Sequence, residues 1–240
     1  DARRAEALGW DYAFIPSSPL LLQDPYVNLA FAGLETSRIK LGPLIETPMM
    51  GNPAVIASSI ATVERLAPTR TVLGYGVGDT AVRLMGKRPT RVAELEEATV
   101  LTRQLLAGEE IEVNAARPAI LRHAAKVPVW IAAGGPRTLQ MAGRIADGVF
   151  IRVGRHKANI KTAIEAVHRG AKEVGRDPEK IGIAVILHTI LTDDLERAAL
   201  ISRSMAAGFY EYSPALFDPP SFTWNGPDIE ELKKQVWPDF

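Results

Sequence analysis

Three observations predict a parallel α/β fold wound as a closed barrel of β/α units. Short apolar runs alternate with longer helical ones along the chain, the beat that parallel strands joined by crossover helices require. The short runs are apolar throughout, as expected of strands buried on both faces. The turn Gly134-Gly135-Pro136, between a strand and a helix, falls late in the chain, where barrels place phosphate sites. An open dinucleotide-binding sheet instead carries its glycine fingerprint after the first strand.

Taken in order, DARRAEALGW reads as helix and DYAFIP as strand. DPYVNLAFAGLET is a helix with Asp24 as N-cap and Pro25 in its first position, a sound start signal. RIKLGPLIETP is a strand, and NPAVIASSIATVERLA a helix opened by Asn52 and Pro53. RTVLGYGVG is a strand. TRVAELEEATVLTRQLLAG is a long helix with Gly108 at its C-terminal stop. Then follow the strand VPVWIAA, the helix PRTLQMAGRIA, the strand DGVFIRV and the helix HKANIKTAIEAVHRGAKEVG. The strand IGIAVILHTIL and the helix DDLERAALISRSMAAG, capped by Thr192 or Asp193, complete the series. That makes six strands, each followed by at least one helix.

SRIKLG from Ser37 and TRTVLG from Thr69 lie 32 residues apart, about one β/α unit. GYGVGD (74–79) is glycine-rich but lies in and just after a strand, with no acidic residue where a dinucleotide fingerprint needs one. No linker-like or low-complexity segment divides the chain, so one domain over residues 1–240 is expected. The aromatic and proline-rich stretch from Phe209 to Phe240 reads as a surface connection.

The 28 Lys and Arg balance 28 Asp and Glu over 240 residues, so no basic footprint points to nucleic acid or an anionic membrane. No apolar run reaches the ~18 residues of a membrane span and no signal peptide opens the chain, which makes a cytoplasmic protein the default expectation. Cysteine is absent, which excludes disulfides, thiolate metal sites and a Cys nucleophile. His123, His156 and His168 are scattered without ligand spacing, so no metal is expected.

Ala133, Gly134, Gly135, Pro136 and Arg137 are the first candidates for chemistry. Glycines let a ligand approach the backbone, and the unpaired amides of a helix N-terminus favour an anion; the alternative is a plain strand-to-helix turn. Glu46 and His188 are acid–base candidates, each near the C-terminal end of a strand; a loop carboxylate and a buried structural histidine are the competing readings. Asp79 suits the N-cap of the helix after it. Arg152, after DGVFI, is placed to pair with a phosphate or carboxylate or to face solvent.

The residues also resemble those of a known family. AEALGWDYAFIPSSPLLLQDPYV, RIKLGPLIETP with NPAVIASSIATVERL, TVLGYGVGDTAVRLMG and PVWIAAGGPRTLQMAGRIADGVFI are similar, in order and spacing, to the luciferase-like flavin/deazaflavin oxidoreductase superfamily. The similarity is greatest to the methylenetetrahydromethanopterin reductase branch, which uses the 5-deazaflavin coenzyme F420. The resemblance implies a (β/α)8 TIM barrel whose first strand lies upstream of Asp1 and whose last lies after Phe240. It implies hydride transfer between coenzyme F420, or alternatively FMN, and a small organic substrate, in a homodimer. It assigns Ala133 to Pro136 to the ribityl or phosphate part of the cofactor. It also assigns Leu44 and Ile45 to a bulge with a non-prolyl cis peptide behind the ring, and Gly78, Asp79 and Thr80 to cofactor contacts.

Relatives usually have glycine where Leu44 stands, Thr-Asn in place of Glu46-Thr47, and often an acid in place of Ser17. Three readings therefore stay open: an F420-dependent oxidoreductase, an FMN-dependent monooxygenase of the same fold, and a barrel homologue without catalysis.

Overall fold

The computed structural model describes residues 1–112, 117–210 and 228. Helix α1 (Ala2–Ala7) leads into strand β1 (Tyr12–Ile15), followed by α2 (Pro25–Glu35), β2 (Lys40–Pro43), α3 (Pro53–Leu66) and β3 (Leu73–Tyr75). A short α4 (Thr80–Leu84) and a long α5 (Val92–Ala107) precede β4 (Val129–Ala133), α6 (Pro136–Ile145), β5 (Gly148–Ile151), α7 (Lys157–Glu173), β6 (Gly182–Val185) and α8 (Leu195–Tyr210).

All strand pairs are parallel. β1 lies on β2, and β3, β4, β5 and β6 form a second run in chain order. Single bridges from Leu41 to Thr71 and from Glu46 to Tyr75 join the two runs. Six strands thus lie side by side in the order in which they are made. A doubly wound sheet reverses its strand order at a switch point, and no such reversal occurs here.

The helices start where their side chains allow. Asp24 accepts the amides of Tyr26 at 2.9 Å and Val27 at 3.0 Å, and Asn52 accepts that of Ala54 at 2.9 Å. Gly108 closes α5 in the left-handed conformation, φ 75°, which only glycine adopts without penalty. α8 is capped by Asp194, which accepts Arg197 N at 2.9 Å, rather than by Thr192 or Asp193. The Thr192 hydroxyl accepts Asp194 N at 3.1 Å. Two strands are shorter than the sequence suggests. β2 stops at Pro43, and β6 stops at Val185, which leaves His188 in an exposed segment. The expected connection lies outside the described residues beyond Tyr210. No helix among the described residues is long and apolar enough to cross a membrane.

Two cores form. Between strands and helices lie Leu41, Leu73, Ile131, Val149 and Ile151, packed with Ile60, Leu95, Met141 and Val167, all fully buried. On the opposite strand face the Trp130 ring meets Phe150 at 5.1 Å between centroids, and Phe150 meets Phe14 edge-on at 5.1 Å. Trp130, Phe150 and Phe14 come from β4, β5 and β1, so this aromatic layer is the barrel floor. It exists because β5 and β6 start with Gly148 and Gly182, where a Cβ would overlap the Trp130 indole. At the outer end, the Glu6 carboxylate accepts the amides of Ser37 at 3.0 Å, Arg38 at 2.6 Å and Ile39 at 2.8 Å, tying α1 to the start of β2.

Two outcomes are expected. Gly148→Ala forces the indole to move and lowers stability by about 1–3 kcal/mol, read as a fall in Tm, whereas Gly135→Ala, with nothing within 4 Å of its Cβ, leaves Tm in place; equal melting of the two would remove the floor from the account. The three amides hold the Glu6 carboxyl down at about 2, below its unfolded value of about 4.3. Its contribution is therefore complete above that unfolded value and fades as pH falls toward 2. Glu6→Gln should accordingly melt earlier at pH 7, with the gap to the native chain closing by pH 2; a gap independent of pH would contradict this.

Candidate active site

Chain direction places the strand-to-helix loops after β1 to β6 on one face, the C-terminal mouth where barrels hold their chemistry. β4 delivers the first candidates. Ala133 is buried. Gly134 lies so close to β5 that a Cβ would stand 2.6 Å from the Arg152 carbonyl, so this glycine is required by strand proximity. Gly135 is the N-cap of α6, Pro136 occupies its first turn, and no side chain caps the helix. The Gly135 carbonyl accepts Leu139 N at 3.0 Å, which starts the helical ladder. Its early amides, with Arg137 exposed beside them, form the kind of helix start that receives an anion. α2 and α3 differ, because Asp24 and Asn52 occupy theirs.

β2 delivers the bulge. The Leu44–Ile45 peptide is cis, at the position the family resemblance implies. Leu44 N donates to Ile15 O at 3.0 Å, Glu46 N to Gly74 O at 2.8 Å, and Gly76 N to Glu46 O at 2.9 Å. The bulge is thus pinned by β1 on one side and β3 on the other. A Cβ on Gly74 would overlap the Pro43 carbonyl and crowd Leu44, and one on Gly76 would overlap Ile45, so the glycines in and just after β3 make room for the bulge on the inner face. Thr47 is buried and its hydroxyl pairs with that of Thr90 at 2.9 Å, beneath Gly78, whose φ of 80° requires glycine. Thr47 therefore supports the loop. Asp79 stands at the N-cap of α4 without making the cap bond; its carboxylate accepts Arg83 Nε at 2.8 Å.

Glu46 is 5% exposed and bridges in register with Tyr75, whose phenol interacts with Thr102 of α5 on the outer face. Its carboxyl accordingly lies behind the bulge, among Ser17, Tyr26 and Tyr75, rather than over the barrel axis. Burial raises its proton affinity against the hydrogen bond from Ser17, and the negative Asp24 adds to the rise. Burial pushes the Tyr75 phenol up to about 12, and burial followed by the Glu46 charge pushes Tyr26 upward as well. The Tyr26 Oη lies beside Glu46 but forms no well-shaped hydrogen bond, and the buried Ser18 Oγ also lacks a partner. The sequence reading missed Tyr26; the Asp24-Pro25 helix start that precedes it was the available signal.

A second group forms across the mouth. Arg152 at the end of β5 is partly buried, which lowers its proton affinity, while Asp79 raises it. Partial burial, then the positive Arg152, hold the His188 imidazole below its ordinary value. Arg152, singled out in the sequence, is thus within electrostatic reach of both Asp79 and His188.

The sequence matches the luciferase-like monooxygenase family over residues 2–230. It is 29% identical over 224 residues to the 5,10-methylenetetrahydromethanopterin reductase of Methanolobus tindarius, covering 89% of this chain and 67% of the relative. It is 30% identical over 239 residues to the F420-dependent hydroxymycolic acid dehydrogenase of Mycobacterium tuberculosis, covering 92% and 64%. It is 36% identical over 199 residues to the F420-dependent glucose-6-phosphate dehydrogenase of Mycolicibacterium fortuitum, covering 74% and 59%. The chain thus spans about two thirds of the length of the curated relatives it matches. Among solved structures, an F420-dependent secondary alcohol dehydrogenase superposes with a TM-score of 0.78 at 22% identity, over 98% of this chain and 75% of that one. The coenzyme F420-dependent tetrahydromethanopterin reductase of Methanopyrus kandleri gives 0.73 at 24%, over 99% and 71%. The barrel order of the strands, the pinned Leu44–Ile45 bulge and the sequence match over residues 2–230 agree, and the chain belongs to the luciferase-like monooxygenase family.

Proposed function

We propose that the protein is an oxidoreductase that moves hydride between coenzyme F420 and a small organic substrate. The observation that carries this reading is the uncapped, glycine-led start of α6 at the barrel mouth, in a chain whose relatives of 30% and 36% identity are F420-dependent dehydrogenases. When bound, the deazaflavin supplies the hydride-carrying ring carbon, and the protein supplies position and surroundings. Ala133, Gly134, Gly135, Pro136 and Arg137 hold its anionic part against the α6 amides. Leu44 and Ile45 back the ring from the inner face of the bulge, with Gly78 and Asp79 at the neighbouring loop. Thr47 braces that loop through Thr90. Glu46, its proton affinity raised by burial behind the bulge, steadies the backbone on which the ring rests, and His188 stands at the rim beside Arg152 as a base whose proton affinity is lowered. Closeness and orientation of substrate and ring then supply much of the rate.

An FMN-dependent monooxygenase is the second reading, favoured by the family to which the chain belongs. The two separate on titration with both cofactors: tight FMN binding with no F420 binding would select the second, and binding of neither at high micromolar concentration would select a barrel without catalysis.

The reading includes a homodimer. Val27, Phe31 and Leu34 form a stripe along α2, 58%, 66% and 65% exposed, at the spacing of one helix face.

Gly135→Val is expected to weaken F420 binding at least tenfold in a fluorescence titration, because the added side chain fills the approach to the α6 amides. Its Tm should stay near the native value, since nothing in the protein lies within 4 Å of that Cβ. Unchanged affinity would reject this placement of the anion. Phe31→Asp should shift the sedimentation mass from two chains to one; a native protein that sediments as a single chain would remove the dimer.

A further inference from the structure

Ile45 reaches into a notch on the inner face of the barrel that only a missing side chain leaves open. On β4, Trp130 and Ala132 lie on the same face, and Ala132 pairs in register with Phe150 of the aromatic floor. Gly76, just past β3, faces that layer too, because a Cβ built on it would lie 3.6 Å from the Ala132 Cβ. The same Cβ would stand 2.5 Å from Ile45 Cδ1, far inside the contact distance of two carbon atoms. The methyl end of Ile45 therefore fills the volume that a side chain at position 76 would take.

The backbone around this contact is fixed. Glu46 N donates to Gly74 O at 2.8 Å, and Gly76 N donates to Glu46 O at 2.9 Å, so β3 holds the residue after Ile45 from both sides. A methyl group on residue 76 cannot push the bulge away as a whole; it displaces the end of the Ile45 side chain. The φ of Gly76 is not positive, so the backbone there accepts alanine. Gly74 differs, because its Cβ would overlap the Pro43 carbonyl, a backbone group that no rotamer change moves aside. Ala132 and the buried Phe150 close the floor side of Ile45, and Ile45 itself is only half-buried. The room left for its displaced end lies toward the mouth.

We propose that Gly76 is a positioning residue for the coenzyme: it sets how far Ile45 stands into the mouth, and so the depth at which the ring comes to rest. This rests on the coenzyme reading above, in which the ring lies against Leu44 and Ile45. A methyl group at position 76 raises that surface while the α6 amides stay where they are. The ring and the anionic part of one coenzyme then no longer reach their two seats together.

The test compares the native chain, Gly76→Ala, Ile45→Val and the double variant. F420 is titrated into each by fluorescence, Tm is recorded, and the Ile45 δ1 methyl signal is followed by 13C NMR in protein labelled at its isoleucine methyl groups. Gly76→Ala should weaken F420 binding about fivefold or more, shift the Ile45 methyl signal in the free protein, and leave Tm near the native value. Valine has no Cδ1, so in the double variant the new methyl takes its place, and F420 affinity should return to that of Ile45→Val. A glycine with a merely structural role gives no such rescue. The proposal is overturned if Gly76→Ala leaves F420 affinity unchanged, if the losses of the two single variants add in the double one, or if Tm falls in step with affinity. Should FMN bind the native chain and F420 fail to, the coenzyme reading falls by itself, and the same four proteins titrated with FMN decide Gly76. If neither ring binds, both fall.

Discussion

The Trp130 indole lies across the barrel axis because the strands beside it begin with glycine. Gly148 is its register partner on β5, and Gly182 is the partner of Gly148 on β6; a methyl group at either would overlap the ring. With the indole down, Phe150 tilts onto it and Phe14 closes from β1. The layer above cannot then be large. At the ends of β3 and β4 stand Gly76, Ala132 and Gly134, and Ile45 projects toward Gly76 from the bulge. A solid floor under a wall of small residues is what leaves an open mouth, and the same close packing carries α6 against α7, where Gly143 and Gly170 meet the opposing helix backbone. That contact fixes the axis of α6 and so the direction in which its first amides point.

Electrostatics at the mouth follow from which helices are capped. Asp24 and Asn52 satisfy the starts of α2 and α3, and the negative Asp24 raises the proton affinity of Glu46 near by. On the far side no side chain caps α6, and Asp79, which interacts with Arg152, accepts Arg83 Nε. On the proposed reading, the charged part of an anionic cofactor would lie over the α6 amides and its ring toward the bulge. That is the orientation in which Ile45 can lie behind the ring.

The local signals in the sequence transferred well because they act over one turn. Asp24-Pro25, Asn52-Pro53 and Gly108 each set a helix boundary through backbone groups two to four residues away, and each does so in the structure. The strand ends did not transfer. RIKLGPLIETP reads as continuous strand, yet pairing stops at Pro43 and the chain turns at Leu44–Ile45 because β1 and β3 both claim its amides. Likewise the apolar run to Leu191 continues past the last strand partner, and His188 falls outside the sheet. Contacts between distant parts of the chain were the least legible. Asp79, Arg152 and His188 have no sequence spacing that marks them as neighbours; strand order alone brings them together.

Glu46 shows what such a departure from the family pattern does physically. A carboxyl between Ser17 and Tyr26, with Asp24 as the nearby charge, is favoured in its protonated form. The Tyr26 Oη and Ser17 hydroxyl stand beside it on the outer side of the bulge. Its own backbone meanwhile carries two of the bonds to β3, through Gly74 O and Gly76 N. Replacing a smaller polar residue by Glu46 therefore need not place a charge under the ring. It fills the space behind the bulge with a buried carboxyl of raised proton affinity and leaves the inner face to Leu44 and Ile45. The inner face of the bulge is thus apolar, and the Glu46 carboxyl lies behind it.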